Sequence, residues 1–173
     1  DAIIPSSVNN NVMLEANPPS GASRLALTDT AGTVYYIYFS GKVEKKEIGR
    51  FSADHFFDYQ DVDADGKKDF IFLDKNKLQV IDQQNKTLFS HKFEDEINLP
   101  PVYYQFSATD RKIGVVAKKA GKIYLFNNDG SIYDGFPLRG QTLFTIGEFS
   151  KPLNKFNLIV GSEDNFLYNY SVQ

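Results

Sequence analysis

Cysteine and tryptophan are absent from the 173 residues, methionine occurs once and histidine twice. The lack of cysteine excludes disulfides, thiolate metal ligands and a cysteine nucleophile, and leaves the compartment open, because cytosolic and envelope proteins alike can do without it. No apolar run approaches the roughly 20 residues a membrane-spanning helix needs. Basic patches are missing too: 19 Lys and Arg are scattered among 22 Asp and Glu for a net charge of −3, whereas nucleic-acid sites gather positive charge on one face. No nucleic-acid partner is expected. Nor is there an amphipathic helical pattern of useful length.

What is present points to β structure. The 42% apolar and 24% charged content is that of a folded globular chain, and its length suits a single domain with a real core. Aromatic residues reach 14%, with 15 Phe and 10 Tyr, and such rings fit a pleated sheet. The apolar runs are short, alternate with period two, and are punctuated by Gly, Asn and Asp.

Four segments then fall into one register: RLALTDTAGTVYYIY from Arg24, KDFIFLDKNKLQVID from Lys68, KIGVVAKKAGKIYLF from Lys112 and NLIVGSEDNFLYNY from Asn157. Each is an apolar strand, a polar turn and an aromatic-rich strand, and their starts lie 44, 44 and 45 residues apart. A period of about 40–50 residues is that of propeller blades with four strands each. The reading is a single all-β propeller domain over 1–173, with repeats at about 9–50, 51–98, 99–140 and 141–173. It is either a closed four-bladed propeller or part of a larger one. In the second blade the strands are expected at 55–62, 69–74, 77–82 and 87–93, and in the third at 103–109, 112–118, 122–127 and 131–138. The last repeat lacks an outer strand, and residues 2–8 are the candidate to supply it, since an unpaired edge invites aggregation.

The sharpest chemical motif is Asp61-Val-Asp63-Ala-Asp65-Gly66-Lys67-Lys68-Asp69. Carboxylates stand at positions 1, 3, 5 and 9, with a glycine at 6 for the turn and the Lys67 carbonyl at 7. Hard oxygens at that spacing suit one structural Ca²⁺, which takes six to eight of them, and suit Mg²⁺ less well. An EF-hand is excluded, because position 12 is Phe72 inside an apolar run rather than a bidentate Glu. The competing reading is an Asx-type hairpin whose carboxylates cap their own backbone.

A DxDxDGxxD loop leading into an apolar strand, here DVDADGKKDFIFL, resembles the calcium loop between the first two strands of FG-GAP-type β-propeller blades. The segment Asp129-Gly130 to Gly135-Phe136-Pro137 likewise resembles the DG…GFP outer-strand element of bacterial FG-GAP and quinoprotein-like propellers. The resemblance covers about residues 51–173. It implies ligand roles for Asp61, Asp63, Asp65, the Lys67 carbonyl and Asp69. The bends of the third and fourth repeats, Ser107–Arg111 and Glu148–Pro152, are not acid-rich, so at most one calcium is expected.

Other candidates carry less. Glu94-Asp95-Glu96 reads as a solvated linker, Lys42–Lys46 as charge blunting an outer edge, and Gly41-Lys42 and Gly121-Lys122 as hairpin turns that lack the glycines of a phosphate loop. His55 and His91 have no nucleophile or carboxylate in triad order, although Asp54 and Asp58 flank His55. Tyr35, Tyr36, Tyr38, Tyr103, Tyr104, Tyr124, Tyr168 and Tyr170 are numerous enough both to pack sheets and to line a recognition surface.

The functional expectation is a non-catalytic propeller module for protein or glycan recognition, in a periplasmic, outer-surface or secreted protein, where millimolar calcium would keep the loop filled. The alternatives are a polysaccharide-acting propeller enzyme with two facing carboxylates, or a piece with no separate activity that completes a longer envelope protein. A quinoprotein-like dehydrogenase is disfavoured by the missing tryptophan. The chain opens on Asp1 rather than Met, as a processed or cut terminus does, so upstream residues and other domains of a longer precursor are expected.

Overall fold

A computed structural model describes residues 7–9, 12–18, 21–148 and 156–172. Its strands form four antiparallel meanders. Sheet one holds β1 (Met13–Glu15), β2 (Arg24–Thr28), β3 (Val34–Tyr38) and β4 (Val43–Lys46); sheet two holds β5 (Phe56–Gln60), β6 (Asp69–Asp74), β7 (Lys77–Ile81) and β8 (Thr87–Lys92). Sheet three holds β9 (Val102–Gln105), β10 (Arg111–Ala117), β11 (Lys122–Asn127) and β12 (Leu138–Arg139), and sheet four holds β13 (Thr145–Gly147), β14 (Phe156–Gly161) and β15 (Leu167–Val172). Polar residues make the turns. Between β7 and β8 one carboxylate oxygen of Asp82 accepts the N–H groups of Gln84 and Lys86, both at 2.8 Å, and Asn85 takes φ +64°, a left-handed turn to which an Asn is well suited.

This is the all-β architecture of a propeller, with the sheets packed face to face in chain order. Ala26, Val34 and Tyr36 of sheet one pack on Phe57, Tyr59, Phe70 and Phe72 of sheet two. The other face of sheet two, with Ile71, Leu73, Leu78 and Val80, packs on Ile113, Val115 and Phe126 of sheet three. The far face of sheet three, with Val116, Ile123 and Leu125, packs on Phe144, Leu158 and Val160 of sheet four. The central strands β6 and β10 are therefore buried on both faces and read as nearly unbroken apolar runs, while β14 buries alternate residues only. At roughly 1.5–3 kcal/mol for each fully buried large apolar side chain, these three interfaces carry the fold. No cluster of described residues joins sheet four to sheet one.

One expectation is corrected. The outer strand of blade three is not continuous over 131–138. Ile132 makes one isolated bridge to Phe126, the chain turns through Tyr133–Phe136 with Gly135 at φ +84°, and pairing resumes only at Leu138–Arg139. Pro137 has no N–H for a ladder, and the Asp134-Gly135 turn takes the chain away from β11. The closing strand at 2–8 lies outside the described residues except for Ser7 and Val8. These run beside the end of β2, where the Ser7 carbonyl accepts the Thr30 N–H at 3.1 Å and Asn9 N–H donates to Thr28 at 3.0 Å. These two described residues extend the inner edge of sheet one.

Candidate functional site

The acidic loop joins β5 to β6, the inner pair of sheet two. Two anchors hold it. Val62 is fully buried in the cluster between sheets two and three, and Tyr103 on β9 donates its hydroxyl to the Asp61 carbonyl at 2.9 Å. Ala64 (φ +62°) and Gly66 (φ +86°) then reverse the chain in the left-handed region. The result gathers carboxylate oxygens of Asp61, Asp63 and Asp65 within 4.8 Å of one another.

Much of the loop's hydrogen bonding is internal. Asp63 accepts the Asp65 N–H at 3.1 Å, Asp65 accepts the Lys67 N–H at 2.7 Å, and Asp61 Oδ2 accepts the Gly66 N–H at 3.3 Å. The Lys67 ammonium turns back to Asp65 at 3.2 Å. Asp69 sits below the other three, 2% exposed, with Oδ2 accepting the Val62 N–H at 2.9 Å. Burial pushes its carboxyl up to about 7, and the neighbouring Asp63 and Asp65 charges add to the push while backbone N–H groups oppose it. One atom is left over: Asp61 Oδ1 is buried and has no hydrogen-bond partner. A buried, unpaired carboxylate oxygen costs free energy, and a divalent cation held by the three gathered carboxylates would remove that cost. Oxygen donors of this kind suit calcium, so the residues fit the ion. The structure brings Asp61, Asp63 and Asp65 together, with Asp69 buried beneath the loop and Lys67 held on its rim.

The histidines are structural. His55 is 1% exposed; its Nδ1 lies 2.6 Å from the Ser52 carbonyl, which can only accept, so Nδ1 carries the proton and Nε2 accepts from the Thr28 hydroxyl at 3.0 Å. It thereby pins sheet two to sheet one. His91 is half-buried against Phe93, Tyr124 and Phe126, and burial lowers its basicity. Asp58 accepts the Tyr59 N–H at 2.7 Å and the Gln60 amide at 3.0 Å, and burial raises its carboxyl above the usual range. Of the eight candidate tyrosines, Tyr35 and Tyr36 are buried, the other six are half-buried, and all but Tyr35 belong to or pack against the clusters between sheets.

A polar network that sequence reasoning missed lies beside the loop. Arg24 stacks over Tyr36 at 3.7 Å and donates to Glu15 at 2.5 Å, to the Tyr38 hydroxyl at 3.2 Å and to the Tyr59 hydroxyl at 3.3 Å. Burial works against the guanidinium's charge, but the bonds to Glu15 and Tyr38 outweigh it and raise its basicity. Lys67, Lys68 and Gln83 join Glu15, Arg24 and Tyr59 around a cleft of about 370 Å³ between sheets one and two. Its members come from strands and connecting loops of two sheets, and no local spacing in the sequence announces them.

Consecutive antiparallel meanders packed face to face, with an acidic turn between the first two strands of one of them, define a β-propeller-type protein. No protein-family model and no curated protein matches the sequence. Among solved structures the chain is similar to BBS1N in two crystals of its complex with ARL6DN, one soaked with mercury and one with lead. The TM-score is 0.60 in each, at 10% and 12% identity, over 96% of this chain and 51% and 54% of those chains. A protein of unknown function from Bacteroides caccae aligns with a TM-score of 0.43, 11% identity, and 96% and 60% coverage. The chain spans about half the length of the BBS1N chains it matches. At these identities the likeness shows the fold alone.

Proposed function

We propose that this chain is a non-catalytic propeller module that presents loops on a rigid β frame to a protein or glycan partner, in an extracytoplasmic protein, with one structural calcium ion in the β5–β6 loop. Asp61, Asp63, Asp65, the Lys67 carbonyl and Asp69 would hold the ion. The observation that carries the calcium reading is the buried Asp61 oxygen left without a partner beside two other carboxylates. The recognition reading draws on the BBS1N fold, solved with ARL6DN bound, and on the histidines, which are taken up by sheet packing: His55 is buried and hydrogen-bonded to Thr28 and the Ser52 carbonyl, and His91 lies against aromatic rings.

Calcium binding is tested by melting with millimolar calcium against EGTA. At a dissociation constant of about 10⁻⁴ M, typical of extracellular sites, about 2 mM calcium adds about 1.8 kcal/mol, or roughly 4–7 °C for a chain of this size. Asp63→Ala removes that shift. An unchanged melting temperature in the wild type overturns the site. Recognition is tested by immobilising the chain and recovering envelope proteins and glycans; capture of neither class overturns the recognition reading.

A further inference from the structure

The two middle sheets bury both faces; the outer faces of the two end sheets join no inter-sheet cluster of described residues, although Leu27 and Tyr35 on the outer face of sheet one are themselves buried. All seven exposed large apolar residues among the described ones belong to the end blades: Val8, Val12, Leu14 and Phe39 in the first, Leu143, Phe166 and Leu167 in the last. Sheet one carries the more ordered surface. Leu14 pairs with Leu25, Leu25 with Ile37 and Ile37 with Val43, so four aliphatic residues form one unbroken row across all four strands. The row lies on the face opposite Ala26 and Tyr36, away from sheet two, and none of the four belongs to an inter-sheet cluster. Leu14 is 54% exposed and the other three are half-buried. The corresponding row of sheet three, Tyr103–Ile113–Phe126–Ile132, packs against sheet two.

We infer that this outer face of sheet one is a blade-docking surface, and that its occupant is a further propeller blade carried on the same polypeptide. Four arguments select that occupant. The face continues the packing already seen three times between consecutive sheets. A sheet face of four strands about 4.8 Å apart and five residues at about 3.3 Å each covers about 320 Å². Two partners would therefore bury about 640 Å², below the roughly 1,000 Å² of a stable association between separate molecules, whereas a tethered blade meets the face at millimolar effective concentration. The exposed face of sheet four makes a mixed complement in a second copy, because beside Ile159 and Leu167 it carries Thr145, Asn157, Asn169 and Ser171, with Asn157 donating to Asn169 at 2.9 Å. The matched BBS1N chains, of the same fold, run to about twice this length.

The absence of cysteine gives a clean probe. Leu14→Cys and Ile37→Cys are introduced separately into the polypeptide as the gene encodes it and into the 173-residue chain, with Thr109→Cys on an exposed loop as reference, and maleimide labelling is timed. In the gene-encoded polypeptide both outer-face thiols are expected to label about 100-fold more slowly than the reference, as for a site reached only by local opening, and at a rate independent of protein concentration. In the 173-residue chain Leu14→Cys labels at nearly the reference rate. Equal labelling of probes and reference in the gene-encoded polypeptide overturns the inference. Protection that fades on dilution, which would mark a second copy, or protection of Leu14→Cys already complete in the 173-residue chain, overturns it as well. Leu14→Cys, at a partly exposed position, keeps the test informative should Ile37→Cys fail to fold.

Discussion

Asp69→Asn separates the packing role of the acidic loop from the calcium role proposed for it. Asp69 is almost completely buried, holds the Val62 N–H at 2.9 Å, and has a carboxyl raised to about 7 by burial and by Asp63 and Asp65. With calcium removed, its sign is the reverse of a salt-bridged acid. Below about pH 4 the group is protonated folded and unfolded alike, so its protonation does not change stability. Between about pH 4 and 7 only the folded state keeps the proton, so stability falls as pH rises and levels off above about 7. A shift of about 3 units at 1.36 kcal/mol each sets an upper bound of about 4 kcal/mol; screening of the Asp63 and Asp65 charges at the exposed loop brings the expected cost to about 2–3 kcal/mol. Asparagine keeps an oxygen for the Val62 N–H and has no proton to lose. In EGTA the substitution is therefore expected to stabilise the protein by about 2 kcal/mol more at pH 8 than at pH 4.5, measured by denaturant unfolding at both values. With calcium present it is expected to reduce the ion's stabilising effect, because a negative ligand is gone. A difference between wild type and Asp69→Asn in EGTA that is the same at both pH values would refute the burial argument.

Two further substitutions test the frame around the loop. Gly130 has φ +85°, and a Cβ there would stand 2.4 Å from Phe89 of the neighbouring sheet; Gly130→Ala is expected to cost about 2–4 kcal/mol in denaturant unfolding, from backbone strain and overpacking together. Arg24→Met leaves the Glu15 carboxylate, 6% exposed, without its cation, so a loss of about 3–5 kcal/mol is expected, and adding Glu15→Gln should recover part of it; a double variant no better than the single one would show that the charge pair is not the cause.

The parts of the fold that repeat could be read from sequence, because the period-two pattern and the 44-residue register place strands such as Asp69–Asp74 and Lys122–Asn127 without reference to tertiary contacts. Errors arose where one local choice overrode the repeat. The Asp134-Gly135 turn interrupts the outer strand of blade three although the apolar residues around it suit a strand. Tyrosines are amphipathic, so their number did not reveal that seven of the eight pack against the interfaces between sheets. The carboxylate loop was legible because its chemistry is contiguous. The Arg24 network was not, since Glu15, Arg24 and Tyr38 become neighbours only through strand pairing across sheet one and Tyr59 joins them only when sheet two packs on it.

That difference bears on how the loop works. Its carboxylates converge because Val62 is locked into the core between sheets two and three and Tyr103 grips the Asp61 carbonyl, and both restraints come from packing rather than from an ion. Restraints of this kind lower the free energy that binding a cation must spend on ordering the chain. Occupancy of the loop then changes the depth of the native well more than its shape. Calcium at this position would act as a clamp between the inner strands of blade two, tied through Val62 and Tyr103 to blade three, and its loss is expected to lower stability without moving the blades. A partner that bound only the calcium-filled state would have to read the loop's own charge, where the free protein carries four carboxylates against Lys67 and Lys68.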